Sequence, residues 1–142
     1  MNKRQLGKTG ITVSEVAFGG VEIGMPYGIG VESAADMPTE AEAIGLLRAA
    51  LDAGINFFDT ARQYGQSEAI MGKAFAHRRN EVVIATKCKH LGENLPVDLQ
   101  QVVENSLDES LAALQTGYAD VYMLHDSDPK VFQHAGVVKV FT

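Results

Sequence analysis

Residues 39–59, TEAEAIGLLRAALDAGINFFD, set one helix directly before one buried strand. Thr39-Glu40-Ala41-Glu42 has the spacing of a capping box. The threonine hydroxyl accepts from the third helical N–H while Glu42 reaches back to the start of the helix. Ile44, Leu47, Ala50 and Leu51 then fall on one face, and Gly54 supplies a left-handed stop. Ile55-Asn56-Phe57-Phe58-Asp59 follows as a short apolar run that ends in a charge. A helix that hands over to an apolar strand is the repeating unit of a parallel sheet covered by helices.

The unit recurs along the chain. Val16-Ala17-Phe18 is an apolar strand before Gly19-Gly20. Ser67-Glu68 opens a second helix that runs to about Ala76, and Glu81 to Lys87 is a near-continuous apolar strand. Asp98 caps a third helix with Leu99, Val102, Val103, Leu107, Leu111 and Leu114 as its core stripe. Asp120 to His125 is a fourth strand. The marked strand ends at 59, 87 and 125 lie 28 and 38 residues apart, room enough for helical crossovers. Residues 1–15 form a hairpin, Arg4-Gln5-Leu6 and Ile11-Thr12-Val13 around Gly7-Lys8-Thr9-Gly10. Gly20 to Pro38, broken by Gly24, Pro26, Gly28 and Gly30, is expected as a long loop. Residues 129–142 are an atypical tail, since Pro129 and Gly136 interrupt the stretch before Val137–Phe141 and no helical period is visible.

The chain of 142 residues is thus expected as one α/β domain of four parallel βα steps, about half of a closed barrel. A complete eight-stranded α/β barrel takes ~250 residues. Hydrophobic residues make up 46%, enough for a real core. The net charge of −6 and the lack of a basic stripe argue against nucleic acid as a partner. No apolar run approaches the ~20 residues of a membrane span. Cys88 is the only cysteine, which fits a reducing, cytoplasmic setting and points to a buried or merely adjacent thiol beside Lys87 and Lys89. His77, His90, His125 and His134 lack metal-ligand spacing, so no metal is expected. His77-Arg78-Arg79-Asn80 is expected as a solvated helix end and turn.

Three strands end in polar residues that a structural strand does not need: Asp59, Lys87 and His125. Ligands bind at the carboxyl ends of parallel strands, where the loops converge. Tyr64 lies five residues past Asp59, within reach of the same mouth. Singly, each has a bland explanation as a cap, a solvated terminus or a packed loop aromatic. Asp59 is too far upstream of Ser67 to cap the next helix. Together they make an acid–base set. A phenol is a poor acid at neutral pH, and a neighbouring ammonium stabilises the phenolate it leaves behind. Asp59 would keep Lys87 charged, and His125 would donate to a carbonyl oxygen. Such a set suits carbonyl reduction or alcohol oxidation, given a hydride donor.

The sequence resembles the aldo-keto reductases over roughly residues 3 to 128. The resemblance rests on Leu6-Gly7-Lys8-Thr9-Gly10, on residues 54–61 (GINFFDTA), and on Tyr64-Gly65-x-Ser67-Glu68. It continues through Ala85-Thr86-Lys87, Ser110-Leu111-x-x-Leu114 and Leu124-His125. It implies an oxidoreductase on a TIM barrel that uses NADP(H) or NAD(H) on a small aldehyde, ketone or sugar. Tyr64 would be the general acid/base, Lys87 and Asp59 would tune it, and His125 would orient the carbonyl. Gly20 and Val21 match the family's first-strand loop near substrate and nicotinamide, and Met25 to Met37 would bear on specificity. Family members run to about twice this length, and no dinucleotide fingerprint or P-loop replaces the cofactor grip of their second half. Open sheet edges are then expected to drive self-association, or to be covered by a missing C-terminal half. Two alternatives stay open: a truncated, inactive half-barrel that self-associates, and a small anion-binding α/β domain indifferent to Tyr64→Phe.

Overall fold

Lys3–Gln5 (β1) and Thr12–Ser14 (β2) pair antiparallel around a turn in which Gly7 and Gly10 take φ of 56° and 78°. Glycine enters that region without steric cost. This is the expected hairpin, seen in a computed structural model that describes residues 1–92, 95, 97–125 and 128–141. Asn56 ties the hairpin to the sheet. Its Oδ1 accepts from Ser14 N at 2.6 Å, and its Nδ2 donates to Thr12 O at 3.1 Å. The hairpin therefore sits at the amino-terminal ends of the parallel strands, away from Asp59.

The rest alternates as the sequence predicts. Ala17–Gly19 (β3) is followed by a single helical turn, Val21–Gly24 (α1), and then by Glu40–Asp52 (α2) and Phe57–Asp59 (β4). Ser67–Phe75 (α3), Val83–Lys87 (β5), Leu99–Leu114 (α4) and Val121–Met123 (β6) come next, before Pro129–Gln133 (α5) and Ala135–Val140 (α6). The sheet order is β3-β4-β5-β6, parallel throughout. It is an open, partial barrel, and among the described residues β3 and β6 each pair on one side only.

Both faces of the capping box at Thr39 form, and Gly54 turns the chain at φ 96°. Ala43, Leu47 and Leu51 of α2 pack with Ile70, Met71 and Phe75 of α3 over Phe58 and Ile84. Phe58 is fully buried with its ring 4.6 Å from that of Phe75 and 5.9 Å from that of Phe18. Burying one such side chain is worth about 1.5–3 kcal/mol. A second cluster joins Val103 of α4 to Cys88, Leu91, Val131 and Val137. Cys88 is buried, one of the two settings expected for it.

Four details differ from expectation. The loop from Gly20 to Pro38 contains α1 and a 3₁₀ turn at Ala34–Asp36, capped reciprocally by Ser33 and Asp36. One turn is too short to show a period, but Ile23 anchors it at 3% exposure. On α4 the fully buried positions are Ser106 and Ser110, with Leu107 and Leu111 only half-buried beside them. Ser106 Oγ accepts from Lys89 N at 3.0 Å, just past the end of β5.

The tail is helical. Asp128 Oδ1 accepts from Lys130 N at 2.8 Å, Pro129 starts α5, and Val131 and Val137 pack toward α4. Two helices of five and six residues hold too few positions to reveal a period, and Thr142 lies outside the described residues. Arg79, expected in a solvated turn, is instead 15% exposed and paired with Asp120 at 2.7 Å. No helix among the described residues is long and apolar enough to cross a membrane.

Candidate active site

Register explains why three strand ends meet. Asp59 is opposite Ala85, and Lys87 is two residues beyond Ala85 on the same face. Lys87 is opposite Met123, and His125 is again two residues further on that face. Each strand thus advances by one pleat over the last, as strands do when a parallel sheet curls toward a barrel. Asp59, Lys87 and His125 step round one mouth.

Tyr64 comes from the loop between β4 and α3, which is pinned from three sides. Tyr64 N donates to Ala61 O at 3.0 Å and Ser67 N to Tyr64 O at 3.0 Å. Gln66 N donates to Gly24 O at 2.9 Å, and Arg62 N to Lys87 O at 3.2 Å. Gly65 has φ 55°, and a Cβ there would stand 2.2 Å from Gly24 O, so α1 presses directly on this turn.

The Lys87 ammonium donates to Asp59 Oδ1 at 2.6 Å, to Thr60 O at 3.1 Å and to the Tyr64 hydroxyl oxygen at 3.4 Å. Its three donors therefore meet three acceptors, and the phenol is the longest contact. The side chains of Lys87 and Asp59 are 15% and 33% exposed, so water screens the pair only in part. The His125 ring stands edge-on to the Tyr64 ring, centroids 5.4 Å apart. The four polar residues expected at one mouth are at one mouth.

Gly20 lies beside them, its N–H donating to Asp59 O at 2.9 Å. A Cβ on Gly20 would come within 2.9 Å of Asp59 O, a backbone atom that cannot swing aside as Met71 Cε at 2.5 Å could, so packing favours glycine here. Val21 begins α1 next to it.

Several neighbours were not anticipated from the sequence. The His90 ring stacks on that of His125 at 4.6 Å, and the His90 backbone N–H donates to Gln63 Oε1 at 2.9 Å. Thr60 Oγ1 donates to Ser67 Oγ at 2.8 Å, with both residues fully buried. Beneath the Tyr64 loop, Glu68 is buried and accepts from Arg62 and Thr86. A signal for Glu68 was present: it sits three, four and seven residues before Met71, Gly72 and Phe75, on the buried stripe of α3.

Known proteins match this sequence and this fold. The Aldo/keto reductase family matches residues 16–137 as a sequence profile. The L-galactose dehydrogenase of Arabidopsis thaliana is 38% identical over 128 residues, covering 87% of this chain and 37% of that protein. A solved aldo-keto reductase of Pseudomonas aeruginosa superposes with a TM-score of 0.82 at 29% identity, over 98% of this chain and 54% of that one. One from Klebsiella pneumoniae, solved in complex with NADPH, superposes at 0.63 with 27% identity, over 91% and 40% of the two chains. The chain spans about two fifths of the length of the curated relatives it matches. With the parallel strand order, the register that steps Asp59, Lys87 and His125 round one mouth, and a family match across most of its length, the chain belongs to the aldo/keto reductase family.

Proposed function

We propose that this chain carries the acid–base half of a nicotinamide-dependent carbonyl-reducing site, with Tyr64 as the proton donor. The observation that supports it most is the Lys87 ammonium bonded at once to Asp59 and to the Tyr64 oxygen, with the His125 ring edge-on to the phenol ring. When bound, reduced NADP or NAD supplies the hydride. The chain's own residues handle the rest. His125 donates to the substrate carbonyl oxygen and fixes its direction. As that oxygen gains charge, the Tyr64 hydroxyl gives it a proton, and carbonyl becomes alcohol. Lys87 stabilises the phenolate left on Tyr64, and Asp59 holds the ammonium in place. Alcohol oxidation runs the same steps backwards.

The donor set fits a hydride acceptor, and the backbone of Gly20 and Val21 beside Asp59 is where this chain would touch the nicotinamide. NADP(H) is the favoured cofactor, since a relative of the same fold is solved with NADPH. A small aldehyde, ketone or sugar is the substrate class. The lone, buried Cys88 suits a reducing, cytoplasmic setting. A second wall is needed to enclose the substrate, from a second copy of the chain or from a further stretch of barrel. Sedimentation across concentration separates the two: self-association gives a mass that rises with concentration, and a constant monomer mass rules out the second copy.

Titration of NADPH, then NADH, into the purified chain, followed by cofactor fluorescence, tests the proposal. Saturable binding, tighter for NADPH, is expected. A flat response up to millimolar cofactor would contradict a cofactor role for this chain.

A further inference from the structure

α3 begins with a carboxylate that water does not reach. Glu68 is 1% exposed, and both its oxygens are occupied. Oε1 accepts from Thr86 Oγ1 at 2.7 Å, and Oε2 accepts from Arg62 Nη1. Thr86, itself fully buried, immediately precedes Lys87. Arg62 lies two residues before Tyr64, and its backbone N–H donates to Lys87 O at 3.2 Å. Arg62 Nε also lies 3.4 Å from Glu109 on α4, a far more exposed carboxylate.

Burying an ion pair gains little stability over an apolar pair of the same volume, because desolvation offsets the attraction. What this network does, and an apolar cluster would not, is fix direction. It links the two segments that carry the two partners of one contact: the loop bearing Tyr64 and the end of β5 bearing Lys87. That contact is the longest of the three that Lys87 makes. We infer that Glu68 is a positioning residue, which through Arg62 and Thr86 holds the Tyr64 loop against the end of β5 so that the Lys87 ammonium reaches the phenol oxygen. The catalytic consequence rests on the acid–base role proposed above, but the contact can be measured without turnover.

The test uses the full chain labelled with ¹³Cζ-tyrosine, in which Tyr64→Phe assigns the Tyr64 resonance by its disappearance. Lys87→Met gives the position of that resonance when the contact is lost. Glu68→Gln keeps an acceptor of similar shape but removes the charge that holds Arg62. In Glu68→Gln, shown to be folded by circular dichroism, the Tyr64 resonance is expected to move at least half-way to its Lys87→Met position, while those of Tyr27 and Tyr118 stay put. A Glu68→Gln protein with a lower Tm but an unmoved Tyr64 resonance would make the network merely structural and overturn the inference. Should Glu68→Gln fail to fold, Thr86→Val removes a single bond at constant shape, and the same shift or its absence decides. An unmoved Tyr64 resonance in Lys87→Met would remove the contact on which both proposals stand. A shift in both variants together with full turnover in Tyr64→Phe would leave the positioning intact and end the acid role.

Discussion

A charged pair stands at each end of the sheet, Arg79–Asp120 at one and Lys87–Asp59 at the other, and the two are built for different purposes. At the amino-terminal end, Arg79 is paired with Asp120 at 2.7 Å and donates also to Val82 O, Tyr118 O and the Thr116 hydroxyl. Its guanidinium lies 3.9 Å from the centre of the Tyr118 ring, and the Asp120 carboxylate accepts in turn from Ile84 N. Every partner is backbone or a side chain with nothing further to do, so this is a staple. At the carboxyl-terminal end, Lys87 is just as firmly held by Asp59, but its last contact is a phenol that faces an imidazole. Two pairs of similar burial differ in whether the outermost group can still react. A charged pair at a strand end is a candidate site only when such a group remains.

Substitutions should separate the two ends. The largest effect is expected for Lys87→Met: loss of the cation beside the phenol lowers carbonyl reduction by ~10²–10⁴-fold. Turnover measured with NADPH checks this, on protein shown by circular dichroism to be folded, since Lys87→Met also leaves Asp59 without its cation. Arg79→Ala should do the reverse. It strands the Asp120 carboxylate and costs about 3 kcal/mol of stability, read by urea unfolding, while leaving Tyr64 and Lys87 in place.

Smaller changes sharpen the contrast by touching neither pair. Thr39→Ala removes the cap of α2 and costs about 1 kcal/mol in the same unfolding assay. The mildest effect is a pH dependence. The Thr39 hydroxyl and N–H hold the Glu42 carboxyl below its usual range. That contribution is present above the ordinary glutamate value and is lost as pH falls through the lowered one. Thr39→Ala should therefore cost less at pH 3 than at pH 7, by parallel urea titrations.

Most of the framework was legible because it depends on periodicity and caps. The Thr39 box, the Gly54 stop and the apolar strands ending in Asp59 and Lys87 are local signals, and each is where it was expected, while β6 stops at Met123, two residues short of the expected end at His125. Tyr64, Lys87, Asp59 and His125 could be grouped because parallel topology gathers strand ends at one mouth. What escaped depends on pairing at a distance. Arg79 looks solvated in its own turn, and only Asp120, 41 positions away, shows otherwise. Glu68 falls on the buried stripe of α3, but its partners Arg62 and Thr86 show only in the fold. The helices of the tail are short, and α5 is set by Asp128 and Pro129 rather than by a period.

The central claim is that Tyr64 gives the proton. Its most direct test is reduction of a carbonyl substrate by NADPH, with wild type and Tyr64→Phe side by side and cofactor affinity measured on the same samples. A rate lower by at least ~10²-fold is expected in Tyr64→Phe at unchanged affinity. Equal rates in the two proteins would contradict it.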